Sequence, residues 1–139
     1  MAQELKVDTV NSKTSGTIGR STTTARDATV AFDAGGRPQS DALTNAEAFL
    51  GGVSSCGVTL IELHAQETDV PLKRIAVTIK GSRDPEVFHY QSIHMRFELA
   101  GVSQAQADDL VKTYQGRCPL YGTVSRASKM TVEVVAVSS

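Results

Sequence analysis

The stretch Ala46–Thr68, AEAFLGGVSSCGVTLIELHAQET, decides how the rest of the chain reads. Phe49, Val53, Cys56 and Leu60 recur at helical spacing, with Leu50, Gly57, Ile61 and His64 on the adjoining rows. That pattern predicts a helix buried along a broad face. Around Cys56 the residues are nearly all small: Gly51, Gly52, Ser54, Ser55 and Gly57. Glycine disfavours a helix interior by roughly 1 kcal/mol relative to alanine, so these glycines need a packing or functional reason. A helix clothed in Gly and Ser lets another backbone approach closely, or leaves room for a substrate beside a thiol. The expectation is a reactive thiol on a closely approached helix.

Upstream, Thr44 or Asn45 can cap this helix, and Thr44 with Glu47 forms a Thr-x-x-Glu capping box. Before that lies GGRPQSDALTN, a loop by composition. Glu4–Val10 alternates polar and apolar residues, Thr17–Ala25 is Thr-rich, and Ala28–Asp33 alternates again, so all three are expected as strands. The connections NSKTSG and ARD carry turn-preferring residues. Downstream, Thr68, Asp69 and Pro71 stop the helix near Glu67. Leu72–Lys80 and Ser92–Leu99 are expected as an antiparallel hairpin with a wide turn. Ser103 caps a second helix, Gln104–Gln115, with Ala107, Leu110, Val111 and Tyr114 at helical spacing and Gly116 closing it. Cys118-Pro119 starts a short third helix, where proline is tolerated in the first turn. Met130–Val137 is the last strand. The order βββ-α-ββ-αα-β predicts an α+β fold, a mainly antiparallel sheet packed on one long central helix.

Bulk properties narrow the function classes. A chain of 139 residues with 40% hydrophobic content suits a single domain over residues 1–139. A net charge of −1 supplies no electrostatic footprint for nucleic acid or an anionic membrane. Uninterrupted apolar runs are short, so no transmembrane helix is expected. MAQELKVDTV has no basic segment followed by an apolar core, so no signal peptide and a cytoplasmic location are expected. Cys56 and Cys118 are the whole cysteine inventory. In a reducing compartment they read either as inert buried thiols or as a redox pair.

The two cysteine contexts together carry a resemblance. Glu47-Ala48-Phe49-Leu50-Gly51-Gly52-Val53-Ser54-Ser55-Cys56-Gly57 resembles the core helix of the OsmC/Ohr family, and Arg117-Cys118-Pro119-Leu120-Tyr121-Gly122-Thr123-Val124-Ser125 is similar to that family's C-P-x-x-x-x-x-S segment. The resemblance covers essentially the whole chain. It implies a thiol-dependent reductase of organic hydroperoxides, built as an intertwined homodimer with each site at the subunit interface. The thiolate matching Cys56 would attack the peroxide and become a sulfenic acid. The thiol matching Cys118 would condense with it to a disulfide, which a dithiol of lipoyl type would reduce. No cofactor is implied. The alternative is a non-catalytic module of the same family that binds a small apolar or acyl ligand in the same interface cleft.

The chemistry of the residues is compatible. A free thiol with a pKa of about 8.5 is mostly protonated at neutral pH, so a nearby cation is needed. A sulfenic acid must be trapped before it oxidises further, which suits a resolving cysteine. Cys118 would gain from the N–H groups of the helix it opens. Phe49, Leu120, Tyr121 and Phe88 are the candidate apolar lining for an organic peroxide.

The chain also departs from the family pattern. The peroxidase branches begin the core helix with Pro-Glu, the Glu ten residues before the thiol; here Asn45 and Ala46 stand there. Glu47 lies nine residues before Cys56. Nine residues is about 900° on a straight helix, the opposite face. Catalysis and helix capping both remain open for Glu47. Arg20, Arg26 and Arg37 precede the helix; Arg26 and Arg20 are the candidates to activate Cys56, and each also reads as a solvated surface arginine. His64 lies two turns beyond Cys56, about 12 Å away in axial rise, too far for a dyad. His89 and His94 sit in the hairpin, and no spacing resembles a metal site.

Overall fold

The computed structural model describes residues 3–138. These fall into two compact units, one ending at Phe49 and the other beginning at Leu50. The first unit holds a four-stranded sheet, in which β1 (Asn11–Thr14), β2 (Arg20–Ala25) and β3 (Ala28–Asp33) are antiparallel and β4 (Leu43–Thr44) is parallel to β3. Thr-rich β2 pairs on both sides, as suits β-branched residues on a pleated surface. The β2–β3 turn sets Arg26 in the left-handed region at φ 56°.

The first expected strand is corrected here. Residues 3–10 form no strand, and Leu5, Val7 and Val10 are exposed. The strand lies instead in NSKT, where Asn11–Thr14 pair with Ser21–Thr24. Alternation licenses a strand, but a strand forms only where a neighbour accepts its hydrogen bonds.

The long helix α1 spans Asn45–Glu67, as its spacing and stop signals predict. The capping box is formed: Glu47 Oε1 accepts the Thr44 N–H at 2.8 Å and Thr44 Oγ1 accepts the Glu47 N–H at 3.2 Å. Within the second unit α1 buries Val53, Gly57, Ile61 and Ala65, one i, i+4 row. Phe49, placed on the apolar stripe by spacing, is exposed instead. By length and composition α1 is apolar enough to cross a membrane, although its uninterrupted apolar runs are short. Val53, Ile61 and Ala65 of its buried row belong to the core cluster of the second unit.

The second sheet is β5 (Arg74–Ser82), β6 (Ser92–Ala100) and β7 (Lys129–Val137), with β5–β6 antiparallel and β6–β7 parallel. Central strand β6 buries Ile93, Met95, Phe97 and Leu99 at period two. Helix α2 (Gln104–Arg117) starts with a complete Ser103–Gln106 capping box and buries Ala107, Leu110, Val111 and Tyr114. It runs through Gly116 and ends at Cys118, which then opens α3 (Pro119–Ser125). Gln104 reaches β7, its Oε1 accepting the Ala136 N–H and its Nε2 donating to the Val134 carbonyl, which closes that stretch of the sheet edge. The α+β class stands; a short fourth strand, β4, is added before α1, and the strands divide between two sheets, which linear order cannot reveal.

Candidate functional site

The second unit brings the two sulfurs together. Cys56 is half-buried on α1, and Cys118 is 3% exposed at the α2–α3 junction. Both are free thiols, sharing a hydrogen bond with an Sγ–Sγ distance of 2.7 Å. The position of Cys118 follows from local rules. Its N–H donates to the Tyr114 carbonyl as the last bond of α2, and its sulfur accepts the Tyr121 N–H at 3.4 Å as the cap of α3. Pro119, which has no N–H to lose, takes the first turn.

Small residues on α1 make the approach practicable. A Cβ on Gly52 would stand 3.4 Å from Leu120 Cδ2, so Leu120 lies on α1 one turn before Cys56. Tyr121 packs edge-on to Tyr114 with ring centroids 5.4 Å apart, and its hydroxyl accepts from Gln115 Nε2 at 3.0 Å. Leu120 and Tyr121, the two residues that follow Cys118-Pro119, therefore flank the sulfur pair. Phe88 sits 91% exposed in the loop between β5 and β6.

Burial first, then the hydrogen bond and charge of Cys118, push the Cys56 thiol up to about 12. In this arrangement the thiol is protonated at neutral pH. The candidate arginines belong to the first unit. Arg20 Nε donates to Asp33 Oδ1 at 2.7 Å, and its Nη2 donates to Asp41 Oδ1 at 2.6 Å and to Asp33 Oδ2 at 3.1 Å. Asp33, 1% exposed, also accepts the Gln39 N–H at 2.9 Å. The Arg20 guanidinium, held by two carboxylates, has its own pKa raised, and it holds both carboxyls below their usual range. Arg26 is exposed at its turn. Glu47 is occupied in the capping box.

Spacing did not disclose two participants. Asp33 and Asp41 engage Arg20 through non-local contacts. Tyr114 was legible as a core position, but its hydroxyl partner was not: it donates to the Val53 carbonyl at 3.0 Å and lies 3.7 Å from Met95 Sδ. Burial first, then the nearby sulfurs, keep that phenol protonated well above its ordinary range. Among the described residues no cluster of three or more His, Cys, Asp or Glu could hold a metal. His94 instead bonds Thr131 through Nδ1 at 2.6 Å.

No curated protein matches the chain in sequence. Among solved structures, the OsmC-like protein from Mycoplasma pneumoniae is similar at TM-score 0.83 and 18% identity, over 95% of this chain and 98% of that one. A hypothetical protein from Aquifex aeolicus VF5 is similar at TM-score 0.84 and 14% identity, over 97% and 99%. The organic hydroperoxide resistance protein OsmC from Legionella pneumophila is similar at TM-score 0.71 and 16% identity, over 97% and 100%. At these identities the likeness is one of fold. Residues 38–133, which hold both cysteines, match the family described as OsmC-like protein, and the chain belongs to that family.

Proposed function

We propose that the chain reduces organic hydroperoxides with Cys56 as nucleophile and Cys118 as resolving thiol. The Cys56 thiolate attacks one peroxide oxygen, the O–O bond breaks, and the alkoxide leaves and takes a proton to become an alcohol. Cys56 is thereby oxidised by two electrons to a sulfenic acid. Cys118 sulfur attacks the sulfenic sulfur, the S–O bond breaks, and water leaves as the Cys56–Cys118 disulfide forms. A dithiol, of lipoyl type, reduces the disulfide by exchange and is itself oxidised to a cyclic disulfide. The observation that carries this reading is the 2.7 Å approach of two free sulfurs, one half-buried and one buried. The similar proteins from Legionella pneumophila and Bacillus subtilis, both titled organic hydroperoxide resistance proteins, support the substrate class.

The thiolate requires a cation, and the reading assigns it to Arg26 or Arg20 in a homodimer whose sites lie at the interface. Exposed Leu5, Val7 and Val10 on a strandless segment support a dimer, because a protomer gains by pairing such a segment. A cycle that starts from two reduced thiols suits a cytoplasmic location. Turnover of cumene hydroperoxide with dihydrolipoamide tests the proposal: activity is expected in the wild type and lost in Cys56→Ser, and full turnover by that variant rejects it.

A second reading is favoured by the upward shift on Cys56 and by the engagement of Arg20 with Asp33 and Asp41. In it the fold binds a small apolar or acyl ligand without chemistry. It predicts no peroxide consumption while both thiols remain open to alkylation.

A further inference from the structure

We infer that Tyr114 is the positioning residue that sets how readily Cys56 and Cys118 join. The inference rests on the disulfide step proposed above and names what governs it. Tyr114 is fully buried on α2 and is tied to both sulfur-bearing segments. Its side chain reaches α1, where the hydroxyl donates to the Val53 carbonyl at 3.0 Å, one turn before Cys56 on the adjoining row. Its own carbonyl accepts the Cys118 N–H at 2.9 Å.

The geometry leaves Tyr114 little freedom. Its ring packs tilted on Phe97 at 5.5 Å and edge-on to Tyr121 at 5.4 Å. A buried phenol needs a partner for its O–H, and a helical carbonyl has a spare lone pair after accepting its intrahelical N–H. The bond to Val53 therefore fixes the height of α2 against α1 without breaking α1. A slide of α2 would move Cys118 with it, because Cys118 is the residue on which α2 ends. Holding two thiols in register raises the effective concentration of one at the other, which is what closure of a disulfide measures. Where closure is slow, a sulfenic acid at Cys56 is left exposed to more peroxide.

Glutathione redox buffers test this without peroxide. The protein dithiol and glutathione disulfide exchange to give the Cys56–Cys118 disulfide and two glutathione thiols, and alkylation with mass mapping reads the fraction closed. Tyr114→Phe keeps the ring and removes the hydroxyl; a several-fold lower closure constant is expected. With graded cumene hydroperoxide, the same variant should lose reduced Cys56 at the wild-type rate and convert more of it to sulfinic acid. Ser128→Ala is the control, since it deletes another side-chain bond, Ser128 Oγ to the Tyr90 carbonyl at 2.8 Å. It should keep the wild-type closure constant, and thermal melts of both variants verify folding. Closure by Tyr114→Phe equal to wild type, or an equal loss in Ser128→Ala, overturns the inference. A wild-type chain that closes in glutathione but ignores peroxide leaves the Tyr114 role standing and rejects the peroxidase reading. One that closes at no glutathione ratio rejects the inference together with the disulfide step.

Discussion

Gly57 faces Phe97 across the helix–sheet contact so closely that a Cβ on Gly57 would stand 3.1 Å from the ring edge and 3.6 Å from Val77 Cγ2. Phe97 is fully buried and packed on Tyr114, so it has little room to give. Gly57 is therefore what lets α1 sit down on β5 and β6. Gly57→Ala gains about 1 kcal/mol of helix propensity and meets an overpacking cost of about 1–3 kcal/mol. The expected net effect is a loss of stability of about 1 kcal/mol, or roughly 3 °C in Tm. Gly116 provides the contrast, being helical with nothing within 4 Å of the point where a methyl group would stand. Gly116→Ala should stabilise by about 0.5–1 kcal/mol, and thermal melts of the two variants check the opposite signs.

The Arg20–Asp33–Asp41 cluster gives stability a predictable pH dependence. Both carboxyls ionise below their ordinary 3.8, held there first by hydrogen bonds from Arg20. A depressed folded pKa contributes stability that is present above the unfolded value and lost as pH falls through the folded one. Wild-type Tm should therefore hold from neutrality to about pH 4 and decline below it. Arg20→Gln leaves buried Asp33 without its cation, so its Tm should be lower at pH 7. The gap from wild type should narrow as acid protonates Asp33. Melts across that range would refute the account if the gap stayed constant.

How far these features could be read in advance depends on whether their cause is local. Helix α1 was legible from Thr44 to Glu67 because capping, spacing and stop signals all act within a few residues. Residues 4–10 misled because their alternation says nothing about whether a partner strand exists, and the Asn11–Thr14 strand was hidden in turn-type residues whose partner, β2, decides the matter. The two-sheet division is equally non-local. The meeting of Cys56 with Cys118 was expected through resemblance, not through spacing. The engagement of Arg20 could not be foreseen, because Asp33 and Asp41 come from separate segments. Tyr114 precedes Cys118 by four residues, which signals their backbone bond; its bond to Val53 crosses from one helix to another and leaves no sequence trace.

The segment carrying Leu5, Val7 and Val10 should matter to assembly. These side chains are 84%, 74% and 58% exposed, and their backbone groups belong to no strand. A chain lacking residues 1–10 is expected to sediment as a monomer where the full chain forms the proposed dimer. Its Tm should also lose any dependence on protein concentration, since that dependence is the signature of folding linked to association. A deletion variant that remains dimeric would show that another surface holds the copies together.

The activation of Cys56 can be separated from its placement by titration. In the arrangement described, burial and Cys118 push the thiol up to about 12, so the thiolate fraction at neutral pH is minute. The peroxidase reading requires the dimer to reverse this by bringing a guanidinium to the sulfur, since the thiolate is the nucleophile. Site-mapped alkylation of Cys56 by iodoacetamide, followed against pH, distinguishes the two states. The chain lacking residues 1–10 is expected to react ever faster through pH 9 without a plateau. The dimeric full chain is expected to plateau below about 8.5, the ordinary thiol value, and Arg20→Gln or Arg26→Gln should move that plateau back up, whichever arginine serves. Profiles that coincide for all four proteins would mean that no cation reaches Cys56, and the binding reading would then be the better account of the same two sulfurs.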